Sequence, residues 1–256
     1  MSIHPSNTTR FSNRVADYIR YRPTYPVEII QQLEQAVGLN PMFAVADIGS
    51  GTGLSAQRFV EAGNLVYGVE PNFEMREASR TFFQGNRNFK AIDGTAEQTT
   101  LVTKSIDLIF CGQAYHWFDF EQTKLEFDRI LKPKGVIVLA WNERSTSDPL
   151  QQEYEQMMRD LIPEYSKVTQ KNIDTDNIAA FLAPRPLEII SLTNQQVFNL
   201  EELKGRLLSS SYAPKEGEMN YQEVMQALEQ IFEKYQENGK VVFRYDTLLY
   251  VGKGML

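Results

Sequence analysis

The sequence is poor in the residues that build metal centres and disulfides. It has 256 residues, with one cysteine, Cys111, and two histidines, His4 and His116. A single cysteine cannot form an internal disulfide, and two histidines cannot complete a four-ligand zinc site with it. We therefore predict neither a disulfide framework nor a bound metal.

Long apolar runs and an excess of positive charge are also missing. The longest apolar run, residues 136–141, is far shorter than the roughly 20 residues of a membrane helix. The first residues lack a charged region followed by an apolar one, so we expect a cytoplasmic protein without a secretory signal or membrane partner. The net charge of −7 argues against nucleic acid as a partner.

Positive charge is nevertheless concentrated in residues 1–26. Four arginines (Arg10, Arg14, Arg20 and Arg22) stand against one aspartate there, a local charge of +3. They form either a solvated helix face or contacts to an anionic ligand. Arg22 favours the ligand, because the aromatic residues and prolines around it fix its direction.

The hydrophobic periodicity alternates between strand-like and helical segments. We predict strands at 43–48, 65–69, 89–92, 106–110, 136–141, 187–198 and 241–251. We predict helices near 11–21, 27–37, 54–62, 73–83, 120–131, 149–165, 175–182, 200–209 and 221–235. The first five strands alternate with helices, so the predicted fold class is α/β with a doubly wound, mostly parallel sheet.

A glycine cluster follows the first predicted strand. Residues 45–53 read VADIGSGTG, at the point where a strand passes into a helix. Glycines there let the backbone approach a ligand, and the free amides of the helix offer donors. A dinucleotide fingerprint requires its third glycine at Leu54, but here it is Gly53, and Asp47 would repel a diphosphate.

An acidic residue at the end of the second predicted strand points to a ribose. Glu70 lies about 20 residues beyond the glycine cluster, where a carboxylate accepts hydrogen bonds from ribose hydroxyls. Asp93 and Gly94 follow the third strand in a short loop that is an ordinary turn when taken alone. Together with the glycine cluster, Glu70 indicates a ribose-bearing ligand.

In this order, these residues resemble the class I S-adenosylmethionine-dependent methyltransferases, over about residues 43–141. Residues 106–118, 129–135 and 11–26 are similar to the small-molecule branch of methyltransferase type 11, which includes trans-aconitate methyltransferases. The resemblance implies a seven-stranded sheet with an antiparallel last strand and S-adenosylmethionine as cofactor. The cofactor-binding residues it implies are Asp47, Gly49, Ser50, Gly51, Gly53, Glu70, Asn72, Met75, Asp93, Gly94, Ala96 and Gln113.

The acceptor side is predicted from residues outside that loop. His116 is the catalytic candidate, either as a general base or as a loop histidine that shapes the pocket. An anionic acceptor would be held by arginine and by aromatic or hydroxyl side chains. The predicted acceptor-binding residues are Tyr18, Arg22, Tyr25, Trp117, Trp141, Arg206, Ser210 and Tyr212.

We interpret the chain as one methyltransferase domain, 1–256, that acts on a small, acidic metabolite as a monomer or weak homodimer. Its predicted parts are an N-terminal helical lid (1–40), a cofactor-binding core (43–141), a helical insertion (148–184) and a C-terminal part of the sheet (185–256). Two alternatives remain open at this point. They are a nucleotide-cofactor oxidoreductase and a binding module that holds the cofactor without turnover.

Overall fold

A seven-stranded sheet forms the centre of the molecule. The computed structural model describes residues 19–145, 147–168 and 174–254. The strands are β1 (Ala44–Ile48), β2 (Leu65–Val69), β3 (Phe89–Ile92), β4 (Ile106–Gly112), β5 (Leu131–Arg144), β6 (Leu187–Phe198) and β7 (Val241–Gly252). The α-helices are α1 (Glu28–Val37), α2 (Ala56–Glu61), α3 (Phe73–Phe82), α4 (Phe120–Ile130), α5 (Pro149–Leu161), α6 (Pro163–Val168), α7 (Thr175–Leu182), α8 (Leu200–Leu208) and α9 (Tyr221–Tyr235).

The strand order confirms the predicted topology. It runs β3-β2-β1-β4-β5-β7-β6. The pairs among β1 to β5 are parallel, whereas β7 runs antiparallel to both of its neighbours, β5 and β6. The two late strands pair as expected, and β7 lies inside the sheet, leaving β6 at the edge.

The central strands are apolar because both faces of the sheet are covered. One face packs Ile109 and Leu139 against α4 and α7, and the opposite face packs Leu108 and Val138 against α1 and α2. A third apolar cluster lies among α5, α8, α9 and β7. The helices around the late strands therefore have a core of their own.

Strand β5 is longer than predicted. It extends from Leu131 to Arg144, past the apolar run at 136–141. Pairing with β7 continues through Asn142 and Glu143 to Arg144. The ladder hydrogen bonds are made by the backbone, so polar residues can belong to the strand as well as apolar ones. Hydrophobic periodicity therefore underestimated the length of β5. The extension carries three polar side chains beyond the core.

The predicted helix at 149–165 is two helices in the structure. Helix α5 begins after Asp148, whose side chain accepts a hydrogen bond from the Gln151 amide. It ends at Leu161, and α6 begins at Pro163. Proline lacks the amide that would continue the first helix, so the break falls beside it.

Most of the predicted first helix, 11–21, lies outside the described residues, together with Arg10, Arg14 and Tyr18. Residues 19–21 are helical. Among the helices that the structure does describe, none is long and apolar enough to cross a membrane.

Candidate functional site

The turn between β1 and α2 is shaped by two glycines. Gly49 has a φ of 70° and Gly53 a φ of 89°, in the left-handed region that favours glycine. A Cβ at Gly49 would lie 2.6 Å from the Cβ of Ala114, and one at Gly53 would lie 2.6 Å from the ring of Phe83. The turn is therefore fixed both by backbone conformation and by close packing.

Three buried polar atoms at this turn have no hydrogen-bond partner among the described residues. They are Asp47 Oδ1, Ser50 Oγ and Thr52 Oγ1. The other Asp47 oxygen accepts a 2.6 Å hydrogen bond from Ser55 Oγ. Burial raises the pKa of Asp47 to about 7, because the charged carboxylate is desolvated. A cationic group that reached Asp47 Oδ1 would relieve that penalty.

Glu70 is tied to the same turn. Its two carboxylate oxygens accept hydrogen bonds from the Gly51 amide, at 2.9 Å, and from the Asn72 amide, at 2.8 Å. The residue is 9% exposed, and burial raises the pKa of its carboxyl group. Each oxygen keeps a lone pair for a further donor.

Residues at the ends of β2 and β3 adjoin Glu70. Arg76 Nη1 donates to the Glu70 carbonyl at 2.7 Å, and Arg76 Nη2 lies 3.1 Å from Asp93 Oδ2. Asn72 caps α3 by accepting a hydrogen bond from the Met75 amide. Gly94 packs against the backbone of residues 98–99, and Ala96 is buried in the core. Apart from Gln113, which follows β4, the predicted cofactor residues therefore lie along one edge formed by β1, β2 and β3.

A cavity of about 600 Å³ opens beside the glycine turn. It lies at the carboxyl ends of β1, β4 and β5, where open α/β sheets bind ligands. The predicted residues that line it are Gly49, Ser50, Gln113, His116, Trp117, Arg22, Tyr25, Arg206 and Tyr212. We call the side formed by Gly49, Ser50, Leu54 and Ser55 the glycine-turn end.

The segment after β4 forms one wall of the cavity. Gln113 has a φ of 57°, and its side chain donates to the Asn142 carbonyl at 3.3 Å. His116 follows in a single 3₁₀ turn, Tyr115–Trp117, and its Nδ1 is buried without a partner among the described residues. Burial lowers the pKa of His116 to about 4, so the imidazole is neutral at pH 7.

Another part of the cavity lining is rich in positive charge. Its arginines come from four segments, and we call the side formed by Arg22, Arg144, Arg159, Arg206 and Tyr212 the arginine end. Arg206 is 5% exposed and donates to Tyr245 Oη and Ser210 Oγ at 3.4 and 3.3 Å. Burial opposes ionisation of Tyr212, yet Arg144, Arg206 and Arg22 together lower its pKa below the usual value.

Tyr25 and Arg22 enter the cavity from the segment before α1. Arg58 Nε donates to the Tyr25 carbonyl at 2.7 Å, and the Tyr25 ring packs edge-on against Phe110. Arg22 Nη2 donates to the Ser209 carbonyl at 3.3 Å. The N-terminal segment is therefore joined both to the sheet and to the end of α8.

Several residues that line the cavity were not predicted from the sequence. Arg144, Glu143, Glu155 and Tyr165 line the cavity, although none of them was predicted as a site residue. Arg144 and Glu143 end β5, and the rule that ligands bind at carboxyl ends of strands could have found them. Glu155 and Tyr165 come from the insertion, whose sequence gives no comparable signal.

Two predicted acceptor residues do not line the cavity. Trp141 is fully buried, with its ring 6.2 Å from that of Tyr115 and 5.7 Å from that of Tyr250. Alternation along β5 places it on the core face with Leu139, so its assignment as a pocket wall was wrong. Ser210 is also buried and contacts Arg206. Tyr18 lies outside the described residues.

The sheet order, the glycine turn and the acidic residue after β2 define the class of protein. The chain has the fold of the class I S-adenosylmethionine-dependent methyltransferases, as the sequence predicted. A structure from Anaeromyxobacter dehalogenans, assigned as a type II methyltransferase, superimposes with a TM-score of 0.69, covering 92% of this chain and 99% of that one at 17% identity. That likeness shows the fold alone.

Comparison of sequences finds similar methyltransferases over part of the chain. A methyltransferase domain family matches residues 46–139, a little over a third of the chain. An uncharacterized methyltransferase of Schizosaccharomyces pombe is 31% identical over 58% of each chain. Another from Mycobacterium tuberculosis is 37% identical over 52% of each chain. The chain thus spans little more than half the length of the curated relatives it matches.

A further solved structure contains bound ligands. Geranyl diphosphate C-methyltransferase from Streptomyces coelicolor was crystallised with Mg²⁺, a geranyl thiolodiphosphate and S-adenosyl-L-homocysteine. It superimposes with a TM-score of 0.50 at 13% identity, covering 90% of this chain and 75% of that one.

Proposed function

We propose that this protein is an S-adenosylmethionine-dependent methyltransferase whose acceptor is a small, acidic molecule. The observation that carries the proposal is a single cavity that joins the glycine turn after β1 to a group of arginines, of which Arg206 is buried. The family match at residues 46–139 and the bound S-adenosyl-L-homocysteine in the Streptomyces enzyme support the choice of cofactor.

The residues at the glycine turn fit this cofactor. Asp47 Oδ1, Ser50 Oγ and Thr52 Oγ1 are buried polar atoms without partners among the described residues, and burial of such atoms is unfavourable unless a ligand satisfies them. Asp47 suits a cationic group. Glu70 is placed to accept ribose hydroxyls through its remaining lone pairs. Asn72 and Met75, with the loop containing Asp93, Gly94 and Ala96, would flank the adenosine.

When bound, S-adenosylmethionine supplies an electrophilic methyl group on a sulfonium. The residues of this chain have mainly to align the acceptor with it, since positioning alone contributes up to roughly 7–11 kcal/mol. Gln113 and Trp117 line the cavity next to the turn and would orient the two molecules.

The arginine end would hold the acceptor. Arg206 and Arg22, together with the hydroxyl group of Tyr212, present hydrogen-bond donors that suit a carboxylate or another planar anion. Ser210 Oγ accepts a hydrogen bond from Arg206 Nη1 and helps to hold that guanidinium group in place. Tyr25 supplies an apolar surface between the two ends.

His116 is the proposed catalytic residue. Its neutral imidazole has an unoccupied Nδ1, which can accept a hydrogen bond or a proton. Because its pKa is only about 4, it would hold a proton weakly. It is therefore suited to orienting the acceptor rather than to ionising an alcohol: Nδ1 accepts a hydrogen bond from a protonated group, or donates to a deprotonated oxygen in the Nδ1–H tautomer.

The proposed organisation is a single domain of residues 1–256. In it the N-terminal segment 1–40 and the insertion 148–184 cover the acceptor side of a cofactor-binding core, 43–141. We infer that it acts in the cytoplasm as a monomer or weak homodimer. Its partners would be small molecules rather than nucleic acid or membrane.

Calorimetric titration with S-adenosylmethionine tests the cofactor, and a metabolite screen for S-adenosylhomocysteine release tests the activity. We expect a single binding site and release with at least one carboxylate-bearing metabolite. No heat of binding by the folded protein at millimolar S-adenosylmethionine would contradict the proposal.

The same experiments separate the alternatives. Binding of a nicotinamide dinucleotide in place of S-adenosylmethionine would favour an oxidoreductase. The relatives and solved structures named for this chain, in contrast, are methyltransferases. Binding of S-adenosylmethionine without product release across the screen would favour a non-catalytic module.

A further inference from the structure

Glu155 holds Arg144 in the wall of the cavity. Arg144 Nη2 donates to Glu155 Oε2 at 2.6 Å and to Tyr165 Oη at 2.8 Å. The Tyr165 hydroxyl in turn donates to the Glu155 carboxylate, whose two oxygens lie 2.6 and 2.7 Å away. These three residues come from β5, α5 and α6, and all three line the cavity.

The charge of this group is balanced inside the cavity. Burial raises the pKa of Glu155, but hydrogen bonds from Tyr165 and the charges of Arg144 and Arg159 outweigh it, so the pKa lies below the usual value. Glu155 therefore carries its negative charge throughout the neutral pH range. It neutralises Arg144, and Arg159 Nε lies 3.2 Å from its second oxygen.

Arg206 differs from Arg144 in this respect. Both guanidinium groups line the same cavity. Arg206 donates to the hydroxyl groups of Tyr245 and Ser210, and no carboxylate pairs with it within residues 19–145, 147–168 and 174–254. A buried cation without a counter-ion is costly, so an anionic ligand gains more from Arg206 than from Arg144.

We propose that Glu155 is a specificity-determining residue that limits the negative charge of the acceptor. Because Glu155 neutralises Arg144, the cavity has one fewer positively charged guanidinium group available to an anionic ligand. The Glu155 carboxylate also repels a second anionic group near the insertion. The cavity then favours an acceptor with one anionic group at the arginine end over an equally sized acceptor with two. This inference rests on the proposed acidic acceptor.

The test measures the binding of two anions of matched size, without cofactor and without turnover. Succinate carries two carboxylates, and succinamate replaces one of them by a neutral amide. Glu155→Gln keeps the shape and a hydrogen-bond acceptor for Arg144 but removes the charge. We expect its affinity for succinate, relative to succinamate, to rise about tenfold over wild type, because one like charge is removed near the second carboxylate.

The matched control is Glu153→Gln. Glu153 lies two residues earlier on the same helix and pairs with Lys234 and Tyr235, away from the cavity. Glu153→Gln removes the same charge from α5, but at a position away from the cavity. If the effect of Glu155 is local, the ratio of succinate to succinamate affinity in this control should stay within about twofold of wild type. An equal rise in both variants would overturn the proposal.

A second variant covers the case in which Glu155→Gln does not fold. Arg144→Gln leaves the Glu155 carboxylate in the cavity without its main counter-ion, so the ratio should shift about tenfold in the opposite direction. An unchanged ratio in the folded variants overturns the proposal, as does the absence of any anion binding by wild type and both variants.

These outcomes are separate from the fate of the proposed function. Failure of S-adenosylmethionine to bind, or of any metabolite to release S-adenosylhomocysteine, removes the methyltransferase activity but leaves the anion selectivity measurable. Normal turnover with an unchanged selectivity ratio removes only the role of Glu155.

Discussion

The two ends of the cavity are built in different ways. The glycine-turn end comes from one continuous segment after β1, and its packing is fixed by backbone conformation at Gly49 and Gly53. The arginine end is assembled from side chains of four segments that are distant in sequence. One end depends on backbone geometry and the other on the long-range fold.

This difference suggests how cofactor and acceptor recognition are divided along the chain. The family match covers residues 46–139 and stops before Asn142, where the polar end of β5 begins. The residues of the arginine end all lie outside the matched segment. The proposed acceptor site thus lies outside the segment that the chain shares with the family, as expected for sites placed on a shared fold.

Removal of Arg206 should have the largest effect. Arg206→Met removes the buried cation of the arginine end, so we expect kcat/KM for an anionic acceptor to fall by about a hundredfold or more. S-adenosylmethionine affinity, measured by calorimetry, should stay within about twofold of wild type. The control is Lys204→Met on the same helix, because Lys204 pairs with Glu201 and Glu229. An equal loss of cofactor affinity in Arg206→Met would show that the two ends are not separable.

The converse change is Glu70→Ala. Loss of the proposed ribose contacts should weaken S-adenosylmethionine binding by about 1–3 kcal/mol, or roughly ten- to a hundredfold. Succinate binding at the arginine end should not change. Glu77→Ala is a suitable control, since Glu77 is on the outer face of α3 and pairs with Arg80. Cofactor affinity equal to wild type would refute the role of Glu70.

The pH dependence of cofactor binding should be smaller but specific to the glycine-turn end. Asp47 is protonated below its pKa of about 7, and a cationic ligand binds the ionised form. Affinity for S-adenosylmethionine should therefore rise about tenfold as the pH rises from about 6 to 8 and then level off. Asp47→Asn should make this profile flat. A wild-type profile without slope in that window would contradict the contact.

The same shift predicts an effect on the ligand-free protein. The folded pKa of Asp47 lies above its unfolded value of 3.8, so the unfolded state releases the proton first and stability falls as the pH rises from about 4 to 7. Asp47→Asn should remove this loss and raise the unfolding temperature at pH 8. The matched measurement at pH 4 should show little difference between the two proteins.

The smallest effect on activity should come from Trp141. Trp141→Phe removes a fully buried side chain from the core face, so we expect a loss of about 1–3 kcal/mol in unfolding free energy. The kcat/KM value should stay within about twofold of wild type. Trp117→Phe should instead lower kcat/KM and leave the unfolding free energy nearly unchanged, because Trp117 is 37% exposed and lines the cavity. Loss of acceptor affinity in a stable Trp141→Phe protein would show that Trp141 contributes to acceptor binding after all.

The sequence predicts the sheet well because its strands are short apolar runs separated by clear helical periods. The segment after β1 could be interpreted in detail because Asp47 and the three glycines lie within seven residues of the chain. Even there, sequence does not reveal that the pKa of Asp47 is raised, since this depends on burial by residues from other strands.

The arginine end was predicted only in part. Arg22, Arg206 and Tyr212 were chosen from local charge and aromatic context, and the structure brings them together. Arg144 and Glu155 were missed because their meeting depends on the polar extension of β5 and on the break between α5 and α6. Trp141 was assigned to the acceptor pocket because the local sequence does not distinguish a core position from a pocket position for an aromatic residue near the end of a predicted strand.

The position of β7 affects how the chain can fold. Strands β5 and β6 do not pair with each other, and each forms its antiparallel ladder with β7 alone. During synthesis both strands therefore have an open edge until residues 241–252 have left the ribosome. Because such long-range pairing is slow, the nascent chain is exposed to edge-to-edge association in that interval. Of the seven strands, the last along the chain is then the one that joins β6 to the rest of the sheet.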